Sequence, residues 1–150
     1  MKNCEVDDKA VKYSLGQIVV FGTSILPAKI FLIANFVASN IKIRVQDRGK
    51  GIKGSLGKYK SKSYEAYRKA NGRQIGHKDL TYSGEMFNSM TVTDAKGILG
   101  SPGARISFGS SDGMLKAIGN NAKTEFFGIG QEEEAIVNNE LAKVMGDLKL

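Results

Sequence analysis

The stretch Asp79-Leu-Thr-Tyr-Ser-Gly-Glu-Met-Phe-Asn-Ser-Met90 separates two unlike halves of a 150-residue chain. Before it lies a long basic, glycine-rich segment, and after it come short strand-like runs and an acidic final helix. Ser83 is placed to cap a helix, because its hydroxyl can accept a free backbone N–H of the following turn. Glu85 then falls in the first turn, where a carboxylate meets the positive end of the helix dipole. Met86 and Met90 are one helical step apart, and Met90-Thr-Val-Thr-Asp94 reads as extended chain.

Upstream, Thr23 or Ser24 can cap a helix whose first turn holds Pro27, a position that tolerates proline. The spacing predicts a helix running to about Val45. Ile30, Ile33, Val37 and Ile41 form its apolar stripe, and Asn35, Ser39, Lys42 and Gln46 its polar stripe. Phe31, Leu32 and Phe36 are apolar as well, so the first half is greasy on most sides. Lys29, Asn35 and Asn40 interrupt it, which leaves it short of the roughly 20 apolar residues of a membrane span. It is either a fully buried core helix or a helix shared with a neighbouring subunit. Before it, Gln17–Phe21 is too short for periodicity to choose between strand and helix, and residues 1–12 read as a loose polar segment.

Residues 47–63 hold four glycines and six Lys/Arg with no apolar period, and read as a loop. Gly49–Ser55 lacks the residue order and the preceding strand of a phosphate-binding loop. Ser63 opens a short helix over Tyr64–Ala70 that stops at Asn71-Gly72. Downstream, Met90–Asp94 and Ala104–Gly109 read as strands, Ser110–Gly113 as a turn, Met114 to about Asn120 as a short helix or irregular segment, and Phe126–Gly128 as a further strand. Gln131–Val144 is predicted as a helix with Glu132, Glu133 and Glu134 solvated in its first turn. The fold class expected is α+β, one domain with helices packed on a small antiparallel sheet and a long basic loop.

Charge is polarised. Arg48 to Lys78 carries ten Lys/Arg against the single acid Glu65, whereas residues 125–150 carry six acids against two lysines. Such poles imply a polyanionic partner or self-association of unlike faces. Arg48, Lys50, Lys53, Lys58, Lys60, Lys62, Arg68 and Lys69 are the candidate docking residues, interleaved with Tyr59, Tyr64 and Tyr67 in a mixture suited to phosphate contact with some stacking. No enzyme is indicated. His77 has no nucleophile elbow near it, Cys4 and His77 make no metal-ligand set, and consecutive glutamates on a helix diverge by about 100°. No cofactor motif is present. The N-terminus MKNCEVDDKAVK has two aspartates where a signal peptide would turn apolar.

The central stretch resembles the Leu-Thr-x-(Ser/Thr)-Gly-x-(Leu/Met)-x-x-Ser signature of phage virion-morphogenesis proteins, the Mu-type tail-completion and head–tail joining family. Leu80, Ser83, Gly84, Met86 and Ser89 carry that signature. The order of elements is similar over residues 28–146. A helix leads into a glycine-rich loop, then Ser61–Lys69 (SKSYEAYRK), then the signature and a hairpin, then Phe126-Phe127-Gly128-Ile129 before an acidic helix. Thr124-Glu125 stands where the family has Arg-Pro, and GSLGKYK where it has Trp-x-Pro-Leu.

The resemblance implies a structural virion protein of the neck, a hexameric or dodecameric ring that completes or joins the tail, assembled in the host cytoplasm. Its partners would be further copies, neighbouring connector and tail proteins, and DNA in the channel through non-specific contacts. No membrane is involved. A closed ring needs a heterologous interface, for which Phe31, Leu32, Phe36, Phe126 and Phe127 are the candidates. A second reading of the basic segment is a small nucleic-acid-binding protein without sequence specificity.

Overall fold

The computed structural model describes residues 11–14, 17–21, 27–96 and 102–147. The fold is α+β. Its sheet contains β1 (Val11–Ser14), β2 (Gln17–Phe21), β3 (Met90–Lys96) and β4 (Pro102–Phe108) in the order β1-β2-β4-β3, all antiparallel. Gln17–Phe21 is therefore a strand. The expected N-cap at Thr23 or Ser24, most of the loose segment 1–12 and residues 97–101 of the β3–β4 connection lie outside the described residues.

The β3–β4 register sets Met90 opposite Phe108 and Val92 opposite Ile106. Successive strand residues point to opposite faces, so Ala104, Ile106 and Phe108 enter the core while Arg105 stays exposed. Along β3 and β4 one face is buried and the other carries Thr91, Thr93, Arg105 and Ser107.

Helix α1 (Pro27–Gln46) lies against the apolar face and contacts β2, β3 and β4. Ile30, Ile33, Val37 and Ile41 are buried along it, as their spacing predicts. Phe31, Leu32, Phe36 and Ile43 are exposed on its other side. Helix α5 (Gln131–Asp147) packs on α1. Short α3 (Glu85–Asn88) packs on α4 (Ser111–Lys123), which also touches β4.

Several boundaries depart from the sequence reading. Helix α2 (Lys62–Ala70) starts two residues earlier than expected because Ser61, not Ser63, accepts the Tyr64 N–H. Gly84, with φ at 82°, takes the cap position of α3, a conformation that costs glycine little. Ser83 Oγ instead accepts the Glu85 N–H at 3.4 Å. The supposed turn Ser110–Gly113 opens the 13-residue α4, with Ser110 Oγ accepting the Gly113 N–H at 3.0 Å.

Phe126–Gly128 is not a strand. Its shape comes from Asn121, whose Oδ1 accepts the N–H groups of both Phe126 and Phe127 at 3.0 and 2.9 Å. Phe126 and Phe127 are buried and pack against Phe87 and Phe108. The expectation that they face a neighbouring subunit is overturned, since this chain's own core consumes their surface.

Candidate functional site

Two buried ion pairs organise the basic half. The first joins α1 to α5. Arg44 falls on the buried stripe of α1, and a guanidinium there requires an acid. Its Nε donates to Glu133 Oε1 at 2.9 Å, with the side chains 3% and 0% exposed. Arg44 Nη2 donates to the carbonyls of Phe126 and Gly128 at 3.3 and 3.0 Å, and Glu133 Oε2 accepts the Gly130 N–H at 2.8 Å. The first-turn glutamates are thus not all solvated: Glu133 is inside. An arginine on an apolar stripe was the signal in the sequence that a buried acid had to exist.

The second pair is Arg68 with Asp79, which ties α2 to the central stretch. Arg68 also donates to the carbonyls of Gln74 and Thr81 at 2.9 and 2.7 Å. Asp79 Oδ1 accepts the Tyr59 hydroxyl at 2.9 Å and the Thr81 N–H at 3.0 Å. Burial alone would raise Asp79, but hydrogen bonds from Gln74, Thr81, Tyr59 and Arg68 outweigh it and hold the carboxyl below its usual range. The Tyr59 phenol is pushed up to about 12, first by burial and then by its bond to the Asp79 carboxylate. Capture of the Thr81 N–H by Asp79 turns the backbone sharply at Leu80, whose φ of 53° is rare for a branched residue.

These contacts sort the candidate docking residues. Arg68 is 1% exposed and fully engaged, so it cannot meet a partner; it is a structural arginine. Arg48 pairs with Glu132 at 2.6 Å and Lys53 with Glu125 at 3.0 Å, so the acidic half already answers part of the basic charge. Lys50, Lys58, Lys60, Lys62 and Lys69 are exposed, and none of them is ion-paired among the described residues. His77 is half-buried and tied down, with Nε2 donating to the Gln46 carbonyl at 2.9 Å. A cleft of about 640 Å³ runs between Lys50–Gly54 and the start of α5, with Lys50, Lys53, Glu132 and Glu134 in its lining. Its mixed charge gives no converging catalytic set.

The signature residues are structural. Met86 is buried, Leu80 packs against the core, and Ser89 Oγ donates to the Met86 carbonyl at 2.9 Å. Gly113 of α4 sits directly over that hydroxyl, and a Cβ there would come 2.1 Å from Ser89 Oγ.

The tyrosines named from the sequence, Tyr59, Tyr64 and Tyr67, come together with one that was not, Tyr82. Tyr64 and Tyr67 on α2 meet Tyr82 of the central stretch, with ring centroids 5.9–6.3 Å apart and planes within 22° of parallel. Tyr59 meets Tyr64 edge-on at 4.9 Å, and Arg68 lies 4.8 Å from the Tyr59 ring and 5.8 Å from the Tyr64 ring. The Tyr82 phenol is raised, first by its hydrogen bond to the Tyr67 hydroxyl.

Compared with protein-family models, curated proteins and solved structures, the chain matches none. Among the described residues no helix is long and apolar enough to cross a membrane, and no group of three His, Cys, Asp or Glu side chains is placed to hold a metal ion.

Proposed function

We propose that this chain is a structural subunit of a phage neck, a ring component that completes or joins the tail, and that copies meet through the outer face of α1. The observation that carries the reading is the apolar stripe on that face. Leu32, Phe36 and Ile43 are 46%, 46% and 42% exposed, and with Ser39 they repeat at spacings of four, three and four. That is the spacing of a helix seam built to receive another element. Phe31 flanks it, Ser39 is its one polar member, and Lys29 is an exposed polar neighbour.

The sequence resemblance supplies the phage setting. The stripe supports assembly, because scattered single apolar residues need no explanation but large apolar side chains aligned on one exposed helix face do. Sequence reasoning named Phe31, Leu32 and Phe36 for this interface. Removal of Phe126 and Phe127 from it leaves α1 as the surface that a heterologous ring contact would use.

The test is the mass of the purified protein, by size-exclusion chromatography with light scattering, alone and with purified tail tubes. The wild-type chain is expected to form a ring or to bind tube ends, and Leu32→Asp with Phe36→Asp is expected to remain a folded monomer that ignores tubes. Unchanged assembly in the double variant removes α1 from the interface. Absence of any assembly or tube binding by the wild type removes the neck reading.

A further inference from the structure

We infer that Tyr67 and Tyr82 form a stacking platform for single-stranded nucleic acid, with the neighbouring free lysines and Arg73 holding its phosphates. The inference goes beyond the neck reading and rests on a different set of residues.

The geometry of the three rings carries it. In a column of rings about 3.5 Å apart, the first and third would be at least about 7 Å apart. Here the farthest pair, Tyr64 and Tyr82, is 6.3 Å apart, and all three planes lie within 22° of parallel. The rings are therefore not one column but a staggered, offset-stacked tile of near-parallel rings, which leaves ring surface of its outer members open. Tyr67 is 42% exposed and Tyr82 62% exposed.

The tile is held firmly from below. Arg68 lies near the Tyr59 and Tyr64 rings, and its pair with Asp79 fixes α2 against the stretch that carries Tyr82. A platform assembled before its ligand arrives loses little side-chain freedom on binding.

The charge around the tile selects the ligand. Arg73 lies 6.0 Å from the Tyr82 ring. Lys58 and Lys60 flank Tyr59, whose ring meets Tyr64, and neither lysine is ion-paired among the described residues. Glu65 is the one acid on α2. A ligand with both planar rings and closely spaced negative charges uses both features. Single strands offer unstacked bases beside phosphates, and aromatic side chains take up such bases with little sequence preference. A duplex keeps its base faces inside its own stack. An acidic protein segment would use the lysines and leave the tile idle.

The experiment is fluorescence anisotropy with a short oligothymidylate, an abasic oligomer with the same number of phosphates, a duplex of equal length, and polyglutamate, each over a salt series. The oligothymidylate is expected to bind at least about fivefold more tightly than the abasic oligomer. Tyr67→Ala with Tyr82→Ala is expected to remove that advantage, while Tyr67→Phe with Tyr82→Phe retains it. Lys58→Gln with Lys60→Gln is expected to weaken all anionic ligands and flatten the salt dependence. Far-ultraviolet circular dichroism of each variant checks that the fold persists.

Equal binding of the abasic and thymidylate oligomers, or an alanine pair that binds as tightly as wild type, overturns the platform. So does no binding at low salt. Preference for polyglutamate reassigns the surface to an acidic protein. Because Leu32→Asp with Phe36→Asp leaves the tile intact, failure here and failure of the neck reading are separable.

Discussion

Arg44 and Glu133, 89 residues apart in the chain, meet in an ion pair of 2.9 Å with both side chains buried. The pair also organises the turn before α5, since Arg44 takes two carbonyls from it and Glu133 one N–H. Taking two charges out of water is costly, and the surrounding hydrogen bonds are what offset it. Removing either partner strands the other. Glu133→Gln or Arg44→Met is expected to cost about 3–5 kcal/mol of stability. Arg44→Met with Glu133→Leu should recover much of that loss, because no charge remains buried. Urea unfolding of the two singles and the double measures it, and simple additivity would show that the two side chains act independently.

The Ser89–Gly113 contact predicts a second coupled pair. Alanine is favoured over glycine in a helix by about 0.8–1 kcal/mol, so Gly113→Ala would stabilise α4 if the site were open. A Cβ 2.1 Å from Ser89 Oγ and 2.8 Å from Ser110 Oγ instead displaces two hydroxyls that are both hydrogen-bonded. The expected net effect is a loss of about 1–3 kcal/mol. In a Ser89→Ala background the same change should cost less. A thermal-unfolding cycle over the four proteins checks this, and equal costs in both backgrounds would refute the contact.

Asp79 predicts acid sensitivity. Its carboxyl is held below the ordinary range in the folded chain, whereas in the unfolded chain it titrates near 3.9. The stabilisation from its ionised form is therefore present above about pH 4 and is lost as pH falls through the folded value. Asp79→Asn should be less stable than wild type at pH 7, and the gap should narrow on acidification toward pH 3. Urea titrations across that range measure the slope, and a constant gap would mean that another carboxyl carries the acid response.

The parts of the fold legible in the sequence are those decided by local period. Helix α1 follows from Ile30, Ile33, Val37 and Ile41, and β4 from the alternation of Arg105, Ile106, Ser107 and Phe108. What stayed hidden depends on partners distant in the chain. The start of α4 reads as a turn and Met114–Asn120 only as a short helix or irregular segment, because Gly113 and Gly119 are poor helix formers, yet Gly113 is needed where α4 crosses Ser89. Glu133 reads as one of three solvated acids until Arg44 is placed beside it.

The candidate site shows the same division. The lysines and three of the tyrosines are visible as composition, but Tyr82 joins them only through the Arg68–Asp79 tie. Arg68 itself, counted with the docking residues by charge, is the buried member of that tie.

The division of phenylalanines between core and surface gives the last prediction. Phe126 is fully buried and meets Phe87 at 5.9 Å, edge to face. Phe36 lies on the outer face of α1 and is 46% exposed. Phe126→Ala removes a packed ring and leaves a cavity, and is expected to cost about 3–5 kcal/mol. Phe36→Ala leaves the monomer within about 0.5 kcal/mol of wild type, and its effect should fall on self-association or tube binding instead. Denaturant unfolding at low protein concentration separates the two. A large stability loss from Phe36→Ala under those conditions would place that ring in the monomer's own packing and withdraw it from the interface. A negligible loss from Phe126→Ala would restore the aromatic pair as an interface candidate.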